Sequence, residues 1–422
     1  MVENIVQKLK MNSKRFTQQV ERIVNNTKVV DIHTHIYSEA FGDLLLWGID
    51  ELLTYHYLVA ELFRYRPDLD YRTYWNMPKP EQAELVWNEM FVKNSPISES
   101  TRGVVTVLNK LGLDVRDKNL SKIRRYFADT SAGQYIDKVF ETSNVKYVIM
   151  TNNPFDKKEQ IVWNNIGNTD NRFKAALRID DLLNDFRKYG RQINDQGFKI
   201  TSDKVDNSTI TSINNFLKAW IEKMKPVYIA ASLPPDFSID DGSDRAKMIS
   251  EAVLPVAGEY HLPFAMMIGV KRLVNPALGP AGDGVGKADV DVVAKLTRDW
   301  PGVKFLITML SRENQHELCV TARKFKNLIP FGCWWFLNNP SIISEITAER
   351  IEMLGLTMIP QHSDARILDQ LIYKWSHSRK IITGLLMEKY NDISDAGWPV
   401  TESDIQKDVI RILGVQLLSQ KV

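Results

Sequence analysis

One grouping of side chains that could hold a metal ion is Asp31-Ile32-His33-Thr34-His35, at the end of a short apolar run. In an extended strand, residues two apart face the same side. His33 and His35 can therefore approach one ion together, each through a neutral imidazole nitrogen. Two polar residues closing a strand would give the same pattern, so the spacing alone decides little. A second grouping, Gln361-His362-Ser363-Asp364-Ala365-Arg366, follows the last apolar run of this kind. If the sheet closes on itself, the first and last strands are neighbours and Asp364 reaches an ion held by the two histidines. Two histidines, one carboxylate and open positions suit Zn²⁺ or a similar divalent ion acting as a Lewis acid. The plainer reading makes Asp364 the N-cap of a following helix, and both roles are compatible. His362 is left open between a neighbour of the site, a substrate contact and a surface residue.

Tyr55-His56-Tyr57 forms a third grouping. Aromatic residues in a helical segment usually serve packing, but a Tyr hydroxyl and an imidazole held over a site can move protons at a carbonyl. Arg178 and Arg312 follow apolar runs and have the planar fork that grips a carboxylate. Trp334 and Trp335 read equally well as core or as pocket wall. Residues 282–287, Gly-Asp-Gly-Val-Gly-Lys, imitate a phosphate loop, but Ala281 and Ala288 occupy positions where that motif needs Gly and Ser or Thr. A flexible loop is the expectation there. No Gly-x-Ser-x-Gly elbow supports serine catalysis.

The elements that must position these residues are eight short runs: 29–32, 146–150, 174–179, 227–232, 263–270, 305–310, 329–335 and 357–359. Most are continuously apolar, as parallel strands covered on both faces are. Helical patterns over 214–224, 245–260, 289–300, 314–325 and 341–354 fill the gaps. Alternating strands and helices predict an α/β fold, a (β/α)8 TIM-type barrel with the whole of 1–422 as one domain. An open doubly wound sheet is the other reading, without a dinucleotide fingerprint to support it. More than a hundred residues separate His35 from Val145, dense in Leu, Tyr and Trp. So long a segment predicts a helical insertion, at about 40–145, over the C-terminal face of the strands. Barrel active sites lie on that face.

Bulk properties narrow the class. With 54 Lys and Arg against 52 Asp and Glu, the net charge of +2 gives no broad footprint for nucleic acid or an anionic membrane. Two cysteines, Cys319 and Cys333, exclude a disulfide scaffold and a four-cysteine zinc site. Residues 1–10 mix charge and apolar groups in a helical rhythm unlike a signal peptide, and no run approaches the roughly 20 residues of a membrane span. The expectation is a cytoplasmic protein without a nucleic-acid or membrane partner.

Together, the His-x-His run, Asp364 after the last strand and the barrel pattern resemble the amidohydrolase superfamily. Within it, the chain is similar to the uronate (glucuronate) isomerases, in their divergent bacterial branch. The likeness runs through residues 31–35, 52–57, 311–314, 331–336 and 363–366. It implies interconversion of D-glucuronate with D-fructuronate, and of D-galacturonate with D-tagaturonate, through a cis-enediol. It also implies that His33, His35 and Asp364 hold one divalent metal, with zinc expected, which would receive the substrate's carboxylate end. Asp364 would remove the C2 proton, Tyr57 would bind the C1 carbonyl, Arg366 the C2 and C3 hydroxyls, and His56 would lie beside them. Arg178, Arg312 and Trp335 would complete the substrate pocket, and a homo-oligomer is compatible with all of this. Binuclear relatives carry histidines after the fifth and sixth strands. Here 264–270 has none, and after the sixth run His316 already lies in the next helix. A single metal is therefore expected. A mononuclear hydrolase or deaminase, and a silent sugar-acid binding protein, are the alternatives.

Overall fold

The first six apolar runs fold as strands, each too short and too continuously apolar for a surface helix. The computed structural model describes residues 16–165, 167–168, 170–200 and 204–416, so the reading of residues 1–10 lies outside it. The strands are β1 (Val29–Thr34), β2 (Val145–Asn152), β3 (Phe173–Arg178), β4 (Ile229–Leu233) and β5 (Phe264–Ile268). Then come β6 (Val270–Lys271), β7 (Gly284–Val285), β8 (Phe305–Met309) and β9 (Leu328–Pro330). Seven form one parallel sheet in the order β1-β2-β3-β4-β5-β8-β9. The Gly-rich stretch at 282–287 is partly structured, since β7 pairs antiparallel with β6.

The sheet curls, and its two faces differ. Ala176, Ala230, Ala265, Met267 and Leu306 meet on the concave side. Their strand neighbours Leu177, Ile229, Phe264, Met266 and Phe305 belong to the larger core under the helices. This is the period-two alternation of strands with both faces covered.

The expected closed eight-stranded barrel is replaced by this seven-stranded sheet. The eighth run, 357–359, forms one isolated bridge, from Ile359 to Phe331. Three residues followed by Pro360, which has no N–H to give, cannot extend a ladder. The chain beyond nonetheless lies beside β1. The Asp364 N–H donates to the His33 carbonyl at 3.1 Å, and the His35 N–H donates to the Ala365 carbonyl at 2.7 Å. Between β1 and β2 the described chain is largely helical, from Ile49–Leu53 and His56–Tyr65 to Ala132–Ser143. Among the described residues, no helix is long and apolar enough to cross a membrane.

Candidate metal centre and active-site cavity

The direction of His33 depends on an irregularity in β1. Asp31 pairs with Val148 and Thr34 with Met150, so three steps on β1 span two on β2. Such a bulge shifts the side-chain alternation. Asp31 therefore faces the helices, where its Oδ2 accepts from Trp375 Nε1 at 2.7 Å. His33 turns to the concave side, its ring beside those of Phe331 and His362.

Asp364 is brought to the histidines by a clamp on the preceding residue. The Ser363 N–H donates to Asp31 Oδ1 at 3.0 Å, and Lys374 Nζ donates to the Ser363 carbonyl at 2.6 Å. Burial raises the Asp31 carboxyl to about 6 and lowers the Lys374 ammonium. Asp364 itself takes a left-handed φ of 50°, uncommon for a non-glycine residue and frequent at functional sites. It does not cap the next helix, which begins at Gln370 after Asp369.

His33 Nε2 lies 3.6 Å from Asp364 Oδ1, and His35 Nε2 lies 3.4 Å from the same oxygen. The three form the one grouping of His, Cys, Asp and Glu among the described residues that could hold a metal ion, with ligand atoms within 4.8 Å of one another. His33 Nε2 and Asp364 Oδ1 are buried without a hydrogen-bond partner among the described residues. Such orphaned atoms are costly unless something else satisfies them. Burial, partly opposed by Asp364, holds the His33 imidazole down to about 3. His35 is also held low, by burial first and then by Arg366 and Arg178. Both are neutral near pH 7, as a ligand imidazole must be. The donor set thus fits a single divalent ion.

Around this centre lies a cavity of about 60 Å³, lined among others by Tyr55, His56, Arg178, Trp335 and Arg366. A second cavity of about 420 Å³ adjoins it, with Arg178, Ser232, Val270 and Arg272 common to both walls. Arg178 is braced by Asp180, Nε to Oδ2 at 2.9 Å and Nη2 to the same oxygen at 2.5 Å. The other Asp180 oxygen accepts the Ser232 N–H at 2.8 Å. Arg366 is exposed, and its guanidinium forms no ion pair among the described residues.

No family model matches the chain, and no curated protein matches it. Solved structures do. A uronate isomerase of Bacillus halodurans C-125 shares 51% identity over 97% of both chains, with a TM-score of 0.95. The chain belongs to the uronate isomerase family. A uronate isomerase of Thermotoga maritima and a glucuronate isomerase of Caulobacter crescentus share the fold at 13% and 14% identity. The first covers 95% of this chain and 97% of its own, with a TM-score of 0.77, and the second 97% and 95%, with 0.75.

In this member of the family, the structure gathers most of the expected residues. His33, His35, His56, Arg178, Trp335, Asp364 and Arg366 line the cavity. Tyr57 stands behind them, its ring 4.5 Å from that of His56, while Tyr55 holds the wall position. The Tyr57 hydroxyl, His56 Nε2 and Trp335 Nε1 are buried without partners among the described residues. Burial keeps the Tyr57 hydroxyl protonated and holds His56 down to about 3.

Arg312 is not brought to the cavity. It points outward from the turn after β8 and pairs with Glu345 at 2.7 Å, both side chains about half exposed. His362 is fully buried against His33 and lies outside the ligand grouping. It occupies the space where Gly332 lacks a Cβ, which would come within 1.9 Å of its Cδ2. His316 is exposed on its helix beside Glu349. Tyr228 and Thr151, which touch His33 and His35, and Lys374 and Trp375, which touch Ser363 and Asp31, carry no recognisable spacing in the sequence.

Proposed function

We propose that this chain converts D-glucuronate to D-fructuronate, and D-galacturonate to D-tagaturonate, by proton transfer through a cis-enediol in the cavity at the end of β1. Family membership at 51% identity supports the activity. The observation that carries the location is the convergence of two histidine Nε2 atoms on a partnerless Asp364 Oδ1. We read the chain as one barrel-type unit, with 40–145 as an insertion that closes the cavity.

His33, His35 and Asp364 would hold one divalent ion, for which we propose zinc. When bound, that ion supplies Lewis acidity and an anchor for the carboxylate end of the sugar. The chain's own residues then act at the other end. An α-hydroxy aldehyde has a weakly acidic C2–H, so its removal needs a placed base and donors already facing the developing oxyanion. With Oδ1 directed at the imidazoles, Asp364 keeps its other oxygen for the C2 proton. The protonated Tyr57 hydroxyl serves the C1 oxygen. The unpaired Arg366 guanidinium serves the C2 and C3 oxygens, and His56 and Trp335 offer the remaining donors. Arg178, fixed by Asp180, lines the route from the larger cavity and favours an anion.

The test is direct. Purified protein with Zn²⁺ should form ketose from D-glucuronate or D-galacturonate, and a chelator should abolish the reaction. Absence of ketose from both sugars overturns the assignment.

A further inference from the structure

Two buried hydroxyls outside the proposed ligand set touch its histidines, and each does so in the same way. Tyr228, fully buried before β4, has its oxygen 3.1 Å from His33 Nδ1. That oxygen donates its proton to the Ile32 carbonyl at 2.7 Å. Thr151 of β2 has its Oγ1 2.8 Å from His35 Nδ1 and donates to the Thr34 carbonyl at 3.0 Å. A hydroxyl carries one proton. Once that proton is given to a carbonyl, the oxygen can only accept, so the facing imidazole nitrogen must be the N–H.

We infer that Tyr228 and Thr151 are positioning residues that lock His33 and His35 in the Nδ1–H tautomer, aiming both Nε2 lone pairs at the space beside Asp364 Oδ1. The arrangement is a repeated unit. Each histidine is read by a hydroxyl tethered to the carbonyl of the residue preceding it on β1. The two hydroxyls come from different strand neighbourhoods, so neither follows from the other. Without them each neutral ring could place its proton on Nε2 and present the metal with an N–H instead of a lone pair. This rests on the reading of His33, His35 and Asp364 as metal ligands. It extends that reading to two residues that touch neither metal nor substrate.

Two measurements on the full chain test it. In ¹⁵N-histidine-labelled protein freed of metal, two-bond nitrogen–proton spectra should show His33 and His35 protonated at Nδ1. Thr151→Val should shift His35 toward the Nε2–H form and leave His33 unchanged. Zn²⁺ affinity, read by competition with a chromophoric chelator, should fall roughly 10- to 100-fold in Tyr228→Phe and in Thr151→Val. Thr151→Ser, which restores the hydroxyl, should bind nearly as wild type. An Nε2–H signal for either histidine in the wild-type protein overturns the inference, and so does unchanged affinity in both variants. A wild-type chain that shows the Nδ1–H tautomers but binds no Zn²⁺ overturns the metal assignment instead.

Discussion

At the β1 end of the cavity, the ring nitrogens of His33 and His35 that face away from Asp364 are hydrogen-bonded, and Nε2 of each faces the carboxylate. Around His56 and Trp335 the pattern reverses. The Tyr57 hydroxyl, His56 Nε2 and Trp335 Nε1 are buried and partnerless among the described residues, and Trp335 holds a left-handed φ of 46°. A buried polar atom without a partner costs about 1–3 kcal/mol. The histidine end is thus held by strand backbone and contacted by neighbouring hydroxyls. The aromatic end stores an unmet demand for hydrogen bonds that a sugar's oxygens can meet. Position is secured at one end and reactivity at the other, so mutations at the two ends should separate metal binding, stability and turnover.

The largest effect belongs to Asp364→Asn, which touches both ends. Turnover should fall by about 10²–10⁴, the range for losing a placed base, and Zn²⁺ affinity should fall with it. A variant retaining full activity removes Asp364 from the chemistry. Next is Tyr57→Phe, with a loss of about 10²–10³ in kcat and no loss of Zn²⁺ affinity. Lower stability together with unchanged turnover would reduce Tyr57 to a packing residue.

A smaller effect is read through pH, where buried histidines at both ends act in the same direction. The folded-state value of about 3 for His56 lies below its ordinary 6.5, so the unfolded chain takes up the proton first. The stability this group contributes is complete above about pH 6.5 and is lost as pH falls toward 3, at up to about 1.4 kcal/mol per pH unit. In metal-free protein, His56→Asn should flatten the acid fall of the urea midpoint by one proton's worth. An identical slope would contradict the burial argument. The smallest effect is at Arg312. Its pair with Glu345 is exposed and screened by water, so Arg312→Ala should leave both kcat/KM and the urea midpoint unchanged.

The grouping of His33, His35 and Asp364 was legible because it obeys two local rules: residues two apart on a strand share a face, and the chain after the eighth run returns to the first. The continuous apolar runs were legible for the same reason, since both faces of those strands are covered. What surrounds that grouping was not. Asp31 sits two residues before His33 and should share its face, but the bulge in β1 sends the two to opposite sides. Tyr228 and Thr151 meet the histidines only through the tertiary fold, from 195 and 116 residues away. The eighth run was too short, ahead of Pro360, to form the ladder its composition suggested. Arg312 shows the limit of reasoning from strand ends, which places a residue near the cavity rim without saying where its side chain points.

Following D-glucuronate by NMR in D₂O, with zinc-replete protein, tests the central claim most directly. Proton transfer through an enediol predicts D-fructuronate carrying deuterium at C1, the carbon that is newly protonated. Ketose that carries the substrate's own C2 hydrogen at C1, with no deuterium from the solvent, or no ketose from either glucuronate or galacturonate, would contradict the account.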